Sequence, residues 1–561
     1  MLLFQPEGIS YVNKEGETAL EAAIKAGVTL ESPCGGNGIC GKCRIKVLIG
    51  EGNPVTEEEK QIFSKEELLE GWRLACKFVP KYFKACEVEV PAWSQDEADY
   101  RVELLDADFE KRCGNVAVKN MDTEGKYGIA IDIGTTNIEA LLWRLDQEKC
   151  VGRVIGNNPQ KKYGADVVAR IAYAQQSKEQ AEEMCQVLLS GMKEMLGELL
   201  DQCLVTKEKV CYVSVAGNAA MMHFFTGESV ASLSKAPYKT SYREGRVLDG
   251  SMLSLPFAKV VTLPNVEGFV GADTVGVLRA LFENGQDMEG MLMVDIGTNG
   301  ELALQKDGVM YVASTAAGPA FEGATISCGM RAEEGAVTDL VLGDSVSFQV
   351  IQKKKRVLVD LETGKTKETV PQIKGICGSG LIAVAARLLE AGLMDETGYL
   401  LDLQTAKERG CSKELTERIE NREDGNVFRM GEQVYLTQQD IRELQLAKAA
   451  IGAGVRMLLQ SCGMKEEELS GIYLAGAFGS YLDVAAAQKI GLLPDICKEH
   501  VKAVGNGALE GACCVLKQIY KQGEEEREMA YLEKIARDTT HISLAEQDEF
   551  SSIYLDAVNF I

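Results

Sequence analysis

Histidine is scarce in this chain of 561 residues, where only His223, His500 and His541 occur. A catalytic metal site built from several imidazoles is therefore a poor prospect. No apolar run approaches the roughly 20 residues that a membrane-spanning helix needs. The segment Met1–Pro6 also lacks the basic start and apolar core of a signal peptide. We therefore expect a cytoplasmic protein with no membrane partner.

Positive charge is in short supply as well, because 60 lysines and arginines are outnumbered by 84 aspartates and glutamates. The formal net charge of −24 argues against a nucleic acid or an anionic membrane as a partner. The hydrophobic fraction of 46% and the charged fraction of 26% are ordinary for a globular protein. Since the chain is too long for one hydrophobic core, we expect several domains.

Cysteine, in contrast, is plentiful, and it forms the most specific motif of the chain. Three of the 17 cysteines stand in the segment Cys34-Gly-Gly-Asn-Gly-Ile-Cys40-Gly-Lys-Cys43, and a fourth ends Arg73-Leu-Ala-Cys76. Three thiols in one loop and a distant fourth are typical of a ferredoxin-type domain that holds a [2Fe–2S] cluster. We therefore predict that the metal ligands are Cys34, Cys40, Cys43 and Cys76. The other cysteines are scattered, as reduced thiols of a cytosolic protein would be.

Glycines in this loop permit positive φ angles, so that backbone N–H groups can approach the cluster sulfurs. They are Gly35, Gly36, Gly38 and Gly41. The first gap between cysteines holds five residues, which resembles the adrenodoxin-like branch more than the plant-type spacing. Structural zinc is the alternative, but it usually takes paired Cys-x2-Cys segments, and only one such pair is present. Cys86 is an alternative fourth ligand.

Residues 1–90 are predicted to form the β-grasp fold of ferredoxins. Strand candidates and one helix are Leu2–Phe4, Ile9–Val12, Thr18–Ala26 (the helix), Cys43–Ile49 and Cys86–Val90. Residues 91–126 are acidic and weakly patterned, with one strand candidate at Arg101–Leu105. We interpret them as a linker, which is either a tether for an electron carrier or a merely variable connection.

From Tyr127 onward an apolar strand, a tight turn and a second strand occur twice. The first copy contains Asp132-Ile-Gly134-Thr135-Thr136-Asn137, and the second contains Asp295-Ile-Gly297-Thr298-Asn299. Because the copies are far apart, they indicate a duplicated lobe and not a short repeat. We place a first lobe at 127–285 and a second lobe with a C-terminal extension at 286–561.

The composition of these turns suits phosphate binding. A glycine lets N–H groups converge on phosphate oxygens, threonine hydroxyls add donors, and an aspartate can hold Mg²⁺ through water. Asp132 and Asp295 are thus the predicted catalytic residues, with turn-capping aspartates as the alternative. A third glycine-containing segment, Ile472–Gly479, could let an adenosine lie against backbone. The predicted nucleotide-binding residues are Gly134, Thr135, Thr136, Gly297, Thr298, Asn299, Gly476, Ala477 and Gly479.

Together these segments resemble the superfamily of sugar kinases, heat-shock chaperone ATPases and actin (ASKHA), in which two lobes close on ATP. The absence of a Walker-type Gly-x4-Gly-Lys-Ser/Thr sequence is consistent with this resemblance. The predicted fold class is therefore an α+β β-grasp ferredoxin domain followed by an α/β two-lobed ASKHA ATPase.

The combination of both parts resembles the reductive activators of corrinoid proteins. The motifs that carry the resemblance are Pro264-Asn-Val-Glu-Gly-Phe-Val-Gly-Ala-Asp273, Ser314-Thr-Ala-Ala-Gly318-Pro-Ala-Phe-Glu322-Gly, Cys377-Gly-Ser-Gly-Leu381 and Leu436-Thr-Gln-Gln-Asp-Ile-Arg442. The resemblance implies ATP-dependent, one-electron reduction of inactive Co(II) to Co(I) for a corrinoid-dependent methyltransferase. It implies a [2Fe–2S] cluster, ATP and Mg²⁺ as cofactors, and it adds Gly318 to the nucleotide-binding residues. The implied partners are a corrinoid protein and a low-potential electron donor, and a homodimer is one option for the oligomeric state.

Two other functions stay open at this point. One is an ATP-driven electron donor to another acceptor enzyme, such as an acyl-CoA dehydratase, whose activators share a cluster at a dimer interface. The other is a nucleotide-gated redox sensor without hydrolysis. Glu322 contacts either the nucleotide or cobalt partner, or begins a helix. His223 is expected to be packed and not to bind cobalt. A basic set near the cluster loop either steers an acidic donor or is a solvated face: Lys42, Arg44, Lys46, Arg73 and Lys77.

Overall fold

The structure is a computed structural model that describes residues 1–91, 101–104 and 125–560, apart from short gaps. The gaps are residues 7, 29, 31, 33–35, 37, 39, 40, 64, 165, 343–345, 353, 354, 361–372, 423, 424 and 480. Packing divides the chain into two compact units. Unit 1 comprises Met1–Tyr242, Arg246–Thr262 and Leu516–Gly523, and unit 2 comprises Arg243–Gly245, Leu263–Val515 and Glu524–Ile561.

Residues 1–90 of unit 1 form the predicted ferredoxin module. Its elements are β1 (Leu2–Gln5), β2 (Ile9–Tyr11), α1 (Ala19–Ala26), β3 (Arg44–Ile49), α2 (Glu57–Ile62), α3 (Lys65–Leu69), β4 (Trp72–Leu74) and β5 (Cys86–Glu89). The sheet order is β2-β1-β5-β3-β4, with β1 and β5 parallel. The predicted strands and helix of this module are confirmed to within one residue.

Helix α1 is fixed at both ends by its own sequence. Thr18 and Glu21 form a capping box at its N-terminus, and Gly27 ends it in the left-handed conformation. Its buried face carries Leu20 and Ala23, which join Phe4 in the hydrophobic core of the module. The cluster loop follows this helix, so the helix fixes where the loop begins.

The remainder of unit 1 is built around a mixed sheet in the order β11-β12-β10-β7-β8-β9-β6. Its elements are β6 (Arg101–Leu104), β7 (Tyr127–Ile133), β8 (Asn137–Arg144), β9 (Lys149–Asn157), α4 (Val167–Ala174), α5 (Lys178–Gln202), β10 (Val210–Gly217), α6 (Ala219–Thr226), β11 (Arg246–Asp249) and β12 (Lys259–Thr262). The strand candidate inside the predicted linker is present as β6, and it pairs antiparallel with β9. That part of 91–126 therefore belongs to this sheet.

Unit 2 is built around a second mixed sheet in the order β24-β23-β13-β14-β15-β25, with two smaller sheets, β18-β17-β16-β19 and β20-β21-β22. Its strands are β13 (Met291–Ile296), β14 (Gly300–Lys306), β15 (Val309–Thr315), β16 (Ala336–Val341), β17 (Ser347–Gln352), β18 (Lys355–Asp360), β19 (Gly375–Ile376), β20 (Ile419–Arg422), β21 (Gly425–Arg429), β22 (Tyr435–Thr437), β23 (Gly471–Ala475), β24 (Val501–Gly505) and β25 (Thr539–His541).

The helices that follow α6 in the chain pack mostly within unit 2. They are α7 (Ala272–Glu283), α8 (Gly378–Glu390), α9 (Leu403–Glu408), α10 (Lys413–Thr416), α11 (Gln438–Ser461), α12 (Gly476–Gly479), α13 (Val484–Lys489), α14 (Gly507–Gln522), α15 (Glu525–Arg537) and α16 (Phe550–Val558). Among the described residues, no helix has both the length and the apolar composition that crossing a membrane requires.

The two predicted hairpins have the same arrangement in their respective units. β7 and β8 pair antiparallel up to Ile133 and Ile138, and β13 and β14 pair up to Ile296 and Gly300. A parallel strand lies on the other side of each first strand, β10 next to β7 and β23 next to β13. The predicted strand–turn–strand copies are therefore confirmed.

Candidate functional site

Two of the four predicted cluster ligands lie side by side in the ferredoxin module. The sulfur atoms of Cys43 and Cys76 are 3.4 Å apart, and both side chains are buried. Metal–sulfur bonds of about 2.3 Å to one tetrahedral metal ion place two sulfurs about 3.8 Å apart. The observed separation therefore suits two thiolates that share one iron. Cys34 and Cys40 lie outside the described residues.

The pairing of β3 with β4 brings these two thiols together. Arg44 is opposite Leu74, so Cys43 and Cys76 lie just beyond the same end of the strand pair. The N–H of Ala75 donates to the carbonyl of Cys43 at 2.8 Å and extends this pairing to the thiols. Their separation is thus fixed by backbone hydrogen bonds.

Positive φ angles occur in the cluster loop as predicted. They are +89° at Gly36, +81° at Gly38 and +65° at Gly41, whereas Gly35 lies outside the described residues. A Cβ atom on Gly38 would meet only the flexible Lys77 side chain, whose Cε lies 2.2 Å from that position. The positive φ angles therefore favour glycine in this loop more than space does.

Arg73, three residues before Cys76, is a buried structural residue. Its Nε and Nη2 atoms donate to the two carboxylate oxygens of Glu59 at 2.8 and 2.9 Å. The same carboxylate accepts the N–H groups of Leu74 and Thr56. The interpretation of Arg73 as part of a steering or solvated basic face is therefore wrong, because its charge is paired inside the module.

Three other members of that basic set also have carboxylate partners. Their ion pairs are Arg44–Glu67 at 3.2 Å, Lys46–Glu70 at 3.3 Å and Lys77–Glu58 at 3.2 Å. Acidic residues are thus interspersed with the basic ones near the cluster loop. A uniformly positive surface is not present at these positions.

Cys86 is not placed to be a cluster ligand. It opens β5, where Glu87 is opposite Ile49, so it lies at the end of β3 remote from Cys43. A Cβ atom on Gly50 would come within 2.8 Å of the Cys86 Cα atom. Burial raises the pKa of the Cys86 thiol to about 11, which keeps it protonated at neutral pH. The position of Cys86 therefore supports the prediction that Cys76, and not Cys86, is the fourth ligand.

We predict that Glu59→Gln lowers the free energy of unfolding of the ferredoxin module by about 3 kcal/mol, since it leaves the buried Arg73 charge without a counter-charge. The readout is the denaturant midpoint at which full-length protein loses the visible absorbance of its cluster. Glu57→Gln is the matched control, because this side chain in the same helix is 83% exposed. An equally small shift of the midpoint in both variants would show that the Arg73–Glu59 ion pair does not stabilise the module.

In unit 1, the turn Gly134–Thr136 is held by two buried asparagines. The Asn158 side chain donates to the carbonyl of Gly134 at 2.8 Å, and its backbone N–H donates to that of Thr136 at 2.8 Å. Asn218, the N-cap of α6, donates to the hydroxyl of Thr135 at 2.9 Å. The predicted residues Asp132, Gly134, Thr135 and Thr136 are thus on one fixed turn. Neither asparagine was predicted, because both contacts join segments that are distant in sequence.

In unit 2, the turn Gly297–Asn299 is held by the segment that contains Gly318 and Glu322. The N–H of Gly318 donates to the carbonyl of Thr298 at 2.9 Å, and the Thr298 hydroxyl donates to Glu322 Oε1 at 2.7 Å. The structure therefore brings Gly318 to the turn that carries Thr298. Glu322 contacts a turn residue, a role outside the two alternatives considered from the sequence.

The third predicted segment adjoins this turn. Because β23 is parallel to β13, Ala475 lies next to Asp295. The following Gly476 has a φ of +84°, and a Cβ atom on it would lie 2.6 Å from Oδ1 of Asp295. Gly479 is buried one turn later, whereas the side chain of Ala477 lies outside the described part. Only glycine fits at 476.

Three carboxyl groups interact with one another at this sheet edge, where Glu301 is buried and Asp273 and Asp295 are half-buried. Asp295 on β13 is directly opposite Glu301 on β14, and Asp273 lies in the first turn of α7. Burial, with the neighbouring Asp273 charge, raises the pKa of Asp295 to about 7, and burial raises the pKa of Asp273 to about 6. Burial also raises the pKa of Glu301, with Asp273 and Asp295 adding to it.

No salt bridge involves these three carboxyls within the described part of the chain, and Glu301 Oε1 has no hydrogen-bond partner there. Carboxylate oxygens without a counter-charge are suitable ligands for a hydrated divalent cation. The donor set therefore fits Mg²⁺.

His223 is packed, as predicted. Its ring nitrogens contact the carbonyl of Ala219 at 2.6 Å and the hydroxyl of Ser241 at 3.2 Å. Burial lowers the pKa of this imidazole, so it is neutral at pH 7.

Comparison with known families matches three consecutive parts of the chain. Residues 3–81 match the 2Fe-2S iron-sulfur cluster binding domain, residues 127–282 the RACo middle region, and residues 289–561 the C-terminal domain of RACo, the ASKHA domain. The chain is 34% identical to the corrinoid activation enzyme RamQ of Eubacterium limosum, over 76% of this chain and 69% of that protein. The chain belongs to the reductive activators of corrinoid proteins.

Two further similarities extend over much of this activator. A [Co(II) methylated amine-specific corrinoid protein] reductase of Methanosarcina barkeri is 26% identical, over 77% of each chain. A solved structure titled reductive activator for corrinoid, iron-sulfur protein is 27% identical with a TM-score of 0.65, covering 100% of this chain and 98% of that one. The predicted ferredoxin domain and ASKHA fold are therefore confirmed.

Sequence reasoning missed Asp273 and Glu301 of this activator as members of its acidic group. Asp273 closes the motif that begins at Pro264, but its proximity to Asp295 depends on the packing of α7. Glu301 could have been found by comparing the two hairpins. In the first hairpin Glu139 is opposite Asp132, and Glu301 has the same position opposite Asp295. Arg153 donates to Glu139 at 2.6 Å. Glu139 therefore has a positively charged partner, whereas Glu301, at the equivalent position, has none within the described residues.

We predict that Asp295→Asn stabilises the activator, and by about 2 kcal/mol more at pH 8 than at pH 5.5, at about 1.4 kcal/mol for each pH unit between 5.5 and the folded pKa of about 7. A carboxyl pKa raised from 3.8 to about 7 means that the folded state binds the proton more tightly, so this group's contribution to stability falls as pH rises through that range. The gain at pH 8 is at most about 4 kcal/mol, at about 1.4 kcal/mol per pKa unit.

Thermal unfolding without nucleotide or divalent cation, at both pH values, measures this difference. Asp548→Asn is the control, because Asp548 is an exposed carboxyl of the same unit. A stabilisation by Asp295→Asn that is no larger at pH 8 than at pH 5.5 would contradict the prediction.

Proposed function

We propose that this protein reduces the inactive Co(II) state of a corrinoid protein to Co(I) by one electron, at the expense of ATP, and so supports a corrinoid-dependent methyltransferase. The observation that carries the proposal is the presence, in one chain, of a [2Fe–2S] domain with two apposed buried thiols and two nucleotide-type hairpins. The names of the two curated relatives support the corrinoid protein as substrate.

ATP is needed for an energetic reason. When bound, plant-type [2Fe–2S] clusters supply single electrons at about −400 mV. Each roughly 59 mV by which the acceptor couple lies lower reduces the equilibrium constant of transfer tenfold. Reduction of a lower-potential cobalt centre must therefore be coupled to a favourable process. Hydrolysis of ATP that changes the affinity for the Co(II) and Co(I) forms of the partner would provide it.

The residues divide into two sets with different tasks. Cys34, Cys40, Cys43 and Cys76 hold the cluster, and the 3.4 Å separation of the last two supports a shared iron. Asp132 and Asp295 orient hydrated Mg²⁺, and the uncompensated carboxyl group beside Asp295 supports this role. The proposed nucleotide-binding residues, which contact ATP directly or through water, lie in the two turns, at Gly318 and in the 476–479 segment: Gly134, Thr135, Thr136, Gly297, Thr298, Asn299, Gly318, Gly476, Ala477 and Gly479.

The corrinoid protein is the oxidising partner, and a separate low-potential donor in the cytoplasm returns the electron to the activator. An acyl-CoA dehydratase as acceptor is less well supported, since those activators share a cluster between subunits, whereas this chain has its own ferredoxin module. A redox sensor without hydrolysis is tested by the same assay.

We predict that Co(I) forms only when ATP and reductant are both present. Anaerobically purified protein is mixed with titanium(III) chelate and Co(II) corrinoid proteins, including a methylated-amine-specific one, and the Co(I) absorbance is followed. Asp132→Asn is expected to retain the cluster spectrum and lose the ATP-dependent reduction, whereas Cys43→Ser is expected to lose the cluster. Reduction at the same rate without ATP, or reduction of none of these proteins, would overturn the proposed function.

A further inference from the structure

The threonine of the first turn has a hydroxyl proton that is available to a ligand. A threonine hydroxyl has one donor and two acceptor positions. Thr135 uses an acceptor position for the Asn218 amide at 2.9 Å. The orientation of that amide is fixed, because Asn218 Oδ1 accepts the N–H of Met221 at 3.1 Å as the helix cap. Among the described residues, no acceptor for the Thr135 proton is present.

The threonine of the second turn has the opposite arrangement. Its hydroxyl donates to Glu322 Oε1 at 2.7 Å, and a threonine hydroxyl has only one proton to donate. The single proton of Thr298 is therefore committed, and only its lone pairs remain for a ligand. Thr298 is 5% exposed, so this contact is shielded from bulk solvent.

We propose that the two turns, each within its own unit, present opposite hydrogen-bonding polarity to their ligands. Thr135 donates its proton to a phosphoryl oxygen, whereas Thr298 accepts a hydrogen bond from a water molecule. Asn218 and Glu322 are positioning residues that set these two directions. The inference rests on the proposed ATP-dependent function and deepens it.

The surroundings of each turn agree with this assignment. Asn218 lies at the N-terminus of α6, and the partial positive charge of a helix N-terminus favours an anion. Near that turn the Glu139 charge is paired with Arg153. Near the second turn the acidic group of Asp273, Asp295 and Glu301 disfavours a phosphoryl oxygen and favours water or a hydrated cation.

Two valine substitutions separate the roles. Thr135→Val removes a charge-assisted hydrogen bond and is expected to raise the Kd of a non-hydrolysable ATP analogue by about tenfold or more. Thr298→Val is expected to leave that Kd within about twofold and to lower kcat of hydrolysis by about tenfold. Thr206→Val in unit 1 and Thr540→Val in unit 2 are matched controls, since neither hydroxyl is in these turns.

The positioning residues are tested by double variants. Asn218→Ser retains a helix cap but loses the amide donor, so Kd is expected to rise severalfold, with no further increase in the Thr135→Val background. Glu322→Ala releases the Thr298 proton and is expected to lower kcat about tenfold without changing Kd, and without a further effect beside Thr298→Val. Glu322→Gln keeps an acceptor oxygen and is expected to restore most of kcat.

The outcomes distinguish this inference from the broader proposal. The assigned polarity would be overturned if Thr135→Val and Thr298→Val weakened nucleotide binding equally. Additive effects in either double variant would also overturn it. Neither result would affect the proposed ATP dependence. A wild-type protein that does not bind the analogue at all would instead remove the proposed function. Near-ultraviolet circular dichroism and the cluster spectrum identify variants that fail to fold.

Discussion

The candidate nucleotide elements depend on one constraint, the parallel strand beside each hairpin. Parallel strands end at the same edge of a sheet, so the segment after the neighbouring strand must emerge next to the hairpin turn. In unit 1 this places Gly217 of β10 next to Ile133, and hence Asn218 within reach of Thr135. In unit 2 it places Ala475 of β23 next to Asp295, and hence Gly476 against the carboxylate. The remaining contacts come from the antiparallel side of each hairpin, since Asn158 follows β9 and Gly318 follows β15.

Much of this arrangement could be predicted from the sequence, because the apolar strands, the turn glycines and the cysteine spacing are local signals. The ferredoxin strands, the two hairpins and the positive φ angles of the cluster loop were found in this way. The partners of the turns could not be predicted, because Asn158, Asn218 and Glu322 reach them from distant segments. Local patterns determine which elements form, but packing decides which side chains meet.

Arg73 illustrates the same limit for charge. Its position beside Cys76, among other basic residues, favoured an exposed role when only the sequence was considered. Glu59, which pairs with it, lies on α2, and the burial of both depends on how that helix packs against β4. A residue's charge and its neighbours in sequence therefore do not establish whether it faces solvent, and a basic set near a redox loop is weak evidence for a docking surface.

Two buried acidic groups of this chain show how structural and functional carboxylates differ. Burial alone would raise the pKa of Glu59, yet hydrogen bonds from Arg73 and from the N–H groups of Thr56 and Leu74 hold it below its usual value. The charge and hydrogen-bonding capacity of Glu59 are satisfied by the protein itself, so this carboxylate needs no ligand and stabilises the fold. Half-buried Asp295 and buried Glu301 have no counter-charge among the residues that the structure describes, so their pKa values rise and their ionised forms cost stability. The hydrated Mg²⁺ of the proposed function would offset this cost by supplying the missing positive charge.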